Sequence, residues 1–147
     1  MKEFKLIEAK ADVEKLIRYI PWLEQKRGTS VSHNYENGEA SKSTMTFPVY
    51  DSTLMSFINE ARDTMLVYEN YPYVYTEKAI RSIEDELKVI EEATVPTAGY
   101  VRAVFSKYIL KGMTKGVVWQ EAVTEGIFVE CLYKFKKLLE IWDAPLA

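Results

Sequence analysis

Cysteine and histidine are nearly missing from this sequence: Cys131 and His33 are the only ones among 147 residues. One thiol cannot close an intrachain disulfide, so packing must carry the stability, and the usage fits a reducing compartment. His33 has no cysteine close by and no His-Glu-x-x-His or Cys-x-x-Cys companion. A histidine-based zinc site is therefore not expected, and a Ser-His-Asp arrangement lacks marked partners. His33 reads as a polar residue flanking a turn. Long apolar runs are missing too, since none approaches the ~20 residues that span a bilayer. The opening MKEFKLIEAKADVEKL has neither the unbroken apolar core nor the small-residue cleavage site of a secretion signal. A cytoplasmic protein without membrane association is expected. Basic excess is also lacking, with 19 Lys and Arg against 22 Asp and Glu and a net charge of −3. No overall field draws such a chain to nucleic acid.

What is present is ordinary globular material, 48% hydrophobic and 28% charged. At this length one domain is expected, burying about 68–70% of the unfolded chain's surface. Six Phe, ten Tyr and three Trp are many rings for a small core. Some are expected at an interface, either with a protein partner or in a homodimer.

Spacing along the chain is mostly helical. From Asp12, residues Val13, Leu16, Ile17 and Ile20 fall at i, i+3, i+4 and i+7. Pro21 then makes that helix kink or restart, with PWLEQK as a short second piece. Residues 28–47, GTSVSHNYENGEASKSTMTF, form a polar insertion without helical period. Asn37-Gly38, flanked by Val31, His33, Tyr35, Met45 and Phe47, signals a small β-hairpin near residues 30–47, and a mobile loop is the alternative. Asp51 or Ser52 is placed to cap a helix with Leu54, Phe57, Ile58, Ala61 and Met65 inward.

Pro72, amid Tyr68, Tyr71, Tyr73 and Tyr75, predicts an extended connector. Thr76 then precedes a helix with Ile80, Ile83, Leu87 and Ile90 inward and Glu84, Asp85, Glu91 and Glu92 outward. Pro96 opens the next helix, striped by Val101, Val104, Phe105 and Tyr108 and closed by Gly112. A short helix over 115–125 carries Val118, Ala122 and Val123. Beyond Gly126 lies the cleanest stripe: Phe128, Cys131, Leu132, Phe135, Leu138, Leu139 and Trp142. The prediction is an all-α, single compact bundle of about five to six helices over residues 1–147, with 28–47 as an irregular insertion.

Several stretches invite a chemical reading. Lys-Gly-Met-Thr-Lys-Gly, from Lys111, resembles a phosphate cradle, but a P-loop requires Gly-x-x-x-x-Gly-Lys-Ser/Thr after a strand. Here the spacing is one residue short and the preceding segment is helical. Gly112 is expected as a left-handed helix end, with Lys111 favourable against the dipole and Thr114 capping the next helix. Arg102, Lys107, Lys111 and Lys115 lie near one face and would suit nucleic acid. The following helix offers Gln120, Glu121 and Glu125, which oppose phosphate, so a solvated basic face is preferred.

Cys131 lies within an apolar stripe and is read as core. Among Glu84, Asp85, Glu86, Glu91, Glu92, Glu121 and Glu125, no spacing demands an acid/base pair or a divalent metal site. The tyrosine connector carries the strongest interaction signal: Tyr68, Tyr71, Tyr73 and Tyr75 would be divided between a side packed on the bundle and a side offering amphipathic anchors.

Tyr108-Ile109-Leu110-Lys111-Gly112, Gly116, Glu121-Ala122, Gly126 and the leucine-rich run from Leu132 to Leu139 together resemble a family of small bacterial and phage-associated helical proteins of unknown function. RYIPWLE (Arg18 to Glu24) and PVYDSTLMSFINEA (Pro48 to Ala61) are similar to that family's Tyr-Ile-Pro-aromatic and Val-Tyr elements. Where its members tend to carry Arg-Gly-Glu-Arg-Phe, this chain has Lys111-Gly112-Met113-Thr114-Lys115. The resemblance implies a bacterial or prophage setting and supplies no activity. The expectation is a non-catalytic protein-interaction module without cofactor, metal or catalytic residues. A nucleic-acid binder using the lysine face and a small carboxylate enzyme are the alternatives.

Overall fold

Proline and glycine bound the helices where the spacing implies, though not always for the reason it suggests. The computed structural model describes residues 4–28, 32–34, 48–115 and 117–143, without the side chains of 32–34, 48–50, 142 and 143. A 3-10 turn, Leu6–Ala9, leads into α1, Lys10–Leu16. A second turn, Ile17–Tyr19, leads into α2, Ile20–Lys26, which has Pro21 in its first turn. Proline is tolerated there because first-turn N–H groups have no helical acceptor to lose. Strands β1, Ser32–Asn34, and β2, Pro48–Tyr50, pair antiparallel with His33 opposite Val49. Asn37-Gly38, Val31, Tyr35, Met45 and Phe47 lie outside the described residues, as does Gly116.

Helix α3, Ser52–Arg62, is capped by Asp51, whose Oδ1 accepts from the Thr53 N–H at 2.7 Å. It ends earlier than expected. The Thr64 hydroxyl donates to the Ala61 carbonyl at 2.6 Å, tightening a turn that leaves Met65 43% exposed and buries Leu66 instead.

The expected tyrosine connector is instead a helix, α4, Tyr71–Lys78, with Pro72 in its first turn. Thr76 lies inside α4 and starts nothing. The N–H of Ala79 donates to the Thr76 carbonyl, and that of Ile80 reaches the Tyr75 carbonyl at 3.0 Å. This paired closure puts the residue after the helix in the left-handed region, and here it is Ala79, at φ 54°, not glycine. Ser82 caps α5, Ile83–Glu92, accepting from the Asp85 N–H at 3.1 Å.

A 3-10 turn, Val95–Thr97, precedes α6, Ala98–Lys111; α7, Val117–Thr124, and α8, Ile127–Asp143, follow. The fold is an all-α bundle. Ala103, Val104, Phe105 and Ser106 are four consecutive buried residues, so the middle of α6 is covered well beyond its apolar stripe. Phe57, Phe105, Phe128 and Phe135 meet edge to face around it, with ring centroids 5.2–6.2 Å apart.

Gly112 corrects another expectation. Its φ is −63° and ψ −19°, ordinary right-handed helix. A Cβ at Gly112 would lie 2.0 Å from Nε1 of Trp119, whose indole covers that backbone while donating to the Ile109 carbonyl at 3.1 Å. Glycine is required there by contact, not by backbone angle. Thr114 donates back to the Lys111 carbonyl at 3.3 Å, so it serves the end of α6. Gly126 does need its angle, at φ 78°.

Candidate functional site

Glu86 continues the apolar face of α5, in step with Ile83 and Ile90, and is 1% exposed. Its carboxylate is fully engaged. Oε1 accepts from the Tyr108 hydroxyl of α6 at 2.5 Å. Oε2 accepts from the Tyr75 hydroxyl of α4 at 2.6 Å and the Lys107 ammonium of α6 at 2.8 Å. That ammonium also lies 5.1 Å from the Tyr75 ring centroid and 4.8 Å from that of Tyr108. Three helices are thus tied through one buried charge with its counter-ion, the arrangement that makes a buried ion tolerable.

Burial, with Glu86 beside it, pushes the Tyr75 phenol far above its ordinary value, and burial with the Glu86 hydrogen bond does the same to Tyr108. Cys131 lies near enough to feel Glu86, and burial drives its thiol well up. Neither phenol nor the thiol is poised as a nucleophile, because each favours its neutral form.

Three of the four tyrosines belong to α4, and Tyr68 lies just before it. The Tyr68 N–H donates to Ser106 Oγ at 2.7 Å. Tyr71 and Tyr75, one helical turn apart, meet edge to face at 6.0 Å. Tyr73 points away and is 59% exposed. The division between packed and presented rings exists, but helical geometry produces it.

The four basic residues separate. The Arg102 guanidinium lies 4.4 Å from the Phe4 ring centroid and 4.5 Å from that of Tyr68, and its Nε donates to the Met65 carbonyl at 2.9 Å. Lys107 is committed to Glu86. Lys111 and Lys115 are exposed.

Among the other carboxylates, Glu121 and Glu125 are exposed. Glu60 accepts from both Arg18 and Tyr19 at the surface, which holds its carboxyl below the usual range. Glu91 and Glu130 share a groove of about 430 Å³ with Arg27, Leu87, Ile90, Tyr133, Lys134 and Lys137, and there Glu130 pairs with Arg27 at 2.8 Å. Among the described residues no three His, Cys, Asp or Glu side chains are grouped to hold a metal ion, and no helix is long and apolar enough to cross a membrane.

Sequence reasoning set Glu86 aside among the clustered carboxylates and passed over Ser106. The signal for Glu86 was its position three residues after Ile83 and four before Ile90, an acidic residue inside an apolar stripe. Ser106 Oγ lies 2.7 Å from the Arg102 carbonyl and 3.0 Å from that of Leu66, and nothing local marks it as more than a helix-surface hydroxyl. No family model, curated protein or solved structure matches the chain.

Proposed function

We propose that this protein is a non-catalytic interaction module that associates with a second copy of itself through the tyrosine face of α4. The observation that supports this is the construction of α4. The helix contributes no fully buried residue, yet it holds Tyr73 out at 59% exposure with Tyr71 and Tyr75 braced behind it. An exposed aromatic ring with a polar tip is the kind of group that anchors protein interfaces. The groups behind it favour a structural reading: the buried carboxylate is saturated by three donors, and the phenols and thiol around it are held neutral. A bacterial cytoplasmic setting, on a prophage or other mobile element, fits the glycine and Tyr-Ile pattern and the lone thiol. The nucleic-acid alternative retains only Lys111 and Lys115 of its four residues free of the contacts described above.

Sedimentation equilibrium over a wide concentration range tests the proposal, comparing the chain with Tyr73→Ser. The expected result is a dimer that the substitution weakens at least tenfold while circular dichroism stays unchanged. A monomer at every concentration, or a dimer indifferent to Tyr73, overturns it. Salt-sensitive binding to DNA or RNA with no dimer would favour the lysine face instead.

A further inference from the structure

We infer that α4 is a strap, built to lift from the bundle while the rest stays folded, and that it gates solvent access to the Glu86–Tyr108–Cys131 cluster behind it. The inference concerns the isolated chain and does not depend on what α4 binds.

The first ground is how α4 is held. Most helices here are fixed by fully buried apolar side chains, but α4 has none. Its directed attachments are the Tyr75 hydroxyl on Glu86, the Tyr75 ring on the Lys107 ammonium, and the Lys78 ammonium 4.7 Å from the Tyr100 ring centroid, and the part-buried Tyr75 ring adds the apolar contact with the core. Contacts of this kind keep less apolar surface out of water than a buried phenylalanine does, so less free energy opposes their opening.

The second ground is what stays behind when α4 lifts. Glu86 loses Tyr75 but keeps Lys107 and Tyr108, both from α6. An open state that stranded a buried charge would be strongly penalised, and this one strands none.

The third ground is the geometry of the two ends. Upstream, the chain is pinned at Tyr68 by Ser106; downstream, Ser82 starts α5. Between these points the turns are exposed at Glu69, Asn70 and Ala79. Ala79 occupies a left-handed conformation that an L side chain adopts at a cost. An open surface depression of about 290 Å³, lined by Tyr75, Thr76, Ala79, Ile80 and Arg81, borders this end of the helix. The hinge end is therefore strained at Ala79, with the buried Ile80 beside it as the fixed point about which the helix would turn.

Hydrogen exchange followed by mass spectrometry on the full chain, at a concentration where it is monomeric, tests the strap. Amides of α4 are expected to exchange at least a hundredfold faster than those of α6 and α8, at a rate insensitive to low denaturant. Tyr75→Phe keeps the ring and removes the hydroxyl. It should speed α4 exchange by roughly tenfold to a hundredfold, the worth of a hydrogen bond to a charged group, and leave α6 and α8 unchanged. Labelling of Cys131 by an uncharged thiol reagent under native conditions should rise in the same proportion. Exchange of α4 in step with α6 and α8 in the unmodified chain overturns the inference without any variant. So does Cys131 labelling that Tyr75→Phe leaves unmoved.

Discussion

Phenylalanine and tyrosine differ by one oxygen, and a cluster of four phenylalanines and a cluster of four tyrosines in this molecule follow different rules. At the centre, Phe57, Phe105, Phe128 and Phe135 are each fully buried and hold one another edge to face. At the margin, Tyr68, Tyr71 and Tyr75 are part-buried and Tyr73 is exposed, and the contacts described above for Tyr68 and Tyr75 lead to Glu86, Ser106 or a cation. The first region is held by exclusion of water, which has no direction. The second is held by directed contacts, so it specifies a geometry at the cost of remaining open to solvent.

Substitutions test that contrast in descending order of effect. Phe128→Ala removes the ring that touches Phe57, Phe105 and Tyr108, and should cost about 3–5 kcal/mol in chemical denaturation. A loss below about 1 kcal/mol would mean that the centre is loosely packed. Gly112→Ala separates contact from backbone preference by sign. Propensity alone favours alanine in a right-handed position by about 1 kcal/mol. The Trp119 indole, 2.0 Å from the added carbon, instead predicts a loss of roughly 2–4 kcal/mol. A stabilised variant would refute the contact.

Glu86→Gln at the margin should cost about 1–3 kcal/mol, because it breaks the ion pair with Lys107 while keeping the shape. Ala79→Gly should stabilise by about 0.5–1 kcal/mol, since glycine takes a left-handed angle without the side-chain penalty. A destabilised glycine variant would show that φ 54° carries no strain.

Alkali distinguishes the two regions without mutation. Tyr75 and Tyr108 have folded-state values raised above the ordinary 10, so the folded chain retains protons that the unfolded chain gives up. Their stabilisation is complete below pH 10 and is lost progressively as pH climbs beyond it. A phenolate absorbance titration should therefore show a late group of tyrosines ionising only with the loss of helical circular dichroism. A single smooth titration with the helix signal intact would contradict the buried network.

The centre was legible in the sequence and the margin was not, for a physical reason. Val101, Val104, Phe105 and Tyr108, and Phe128 through Leu139, repeat at the helical period because one face of each helix meets the core. The α4 segment has almost no such asymmetry, since its inward contacts come from a hydroxyl and ring faces, not from an apolar stripe. Pro72 and the tyrosines then argued for an extended chain, and the glycine that would have marked the helix end is an alanine. Glu86 and Lys107 could be read as carboxylate and cation, but their meeting joins positions 21 residues apart. Local pattern holds no information about such a pairing. Gly112 was recognised as a boundary for the wrong cause, because the residue that requires it, Trp119, belongs to the next helix.

The indole seated on Gly112 also makes the molecule report on its own corner. With its N–H committed to the Ile109 carbonyl and its ring against bare main chain, Trp119 is shielded from water by a joint between two helices. With Trp22 and Trp142 replaced by phenylalanine, the fluorescence of the chain should shift to longer wavelength only when that joint parts. The chain thus carries an intrinsic optical probe at the meeting of α6 and α7, well suited to telling a hinge that flexes from a core that melts.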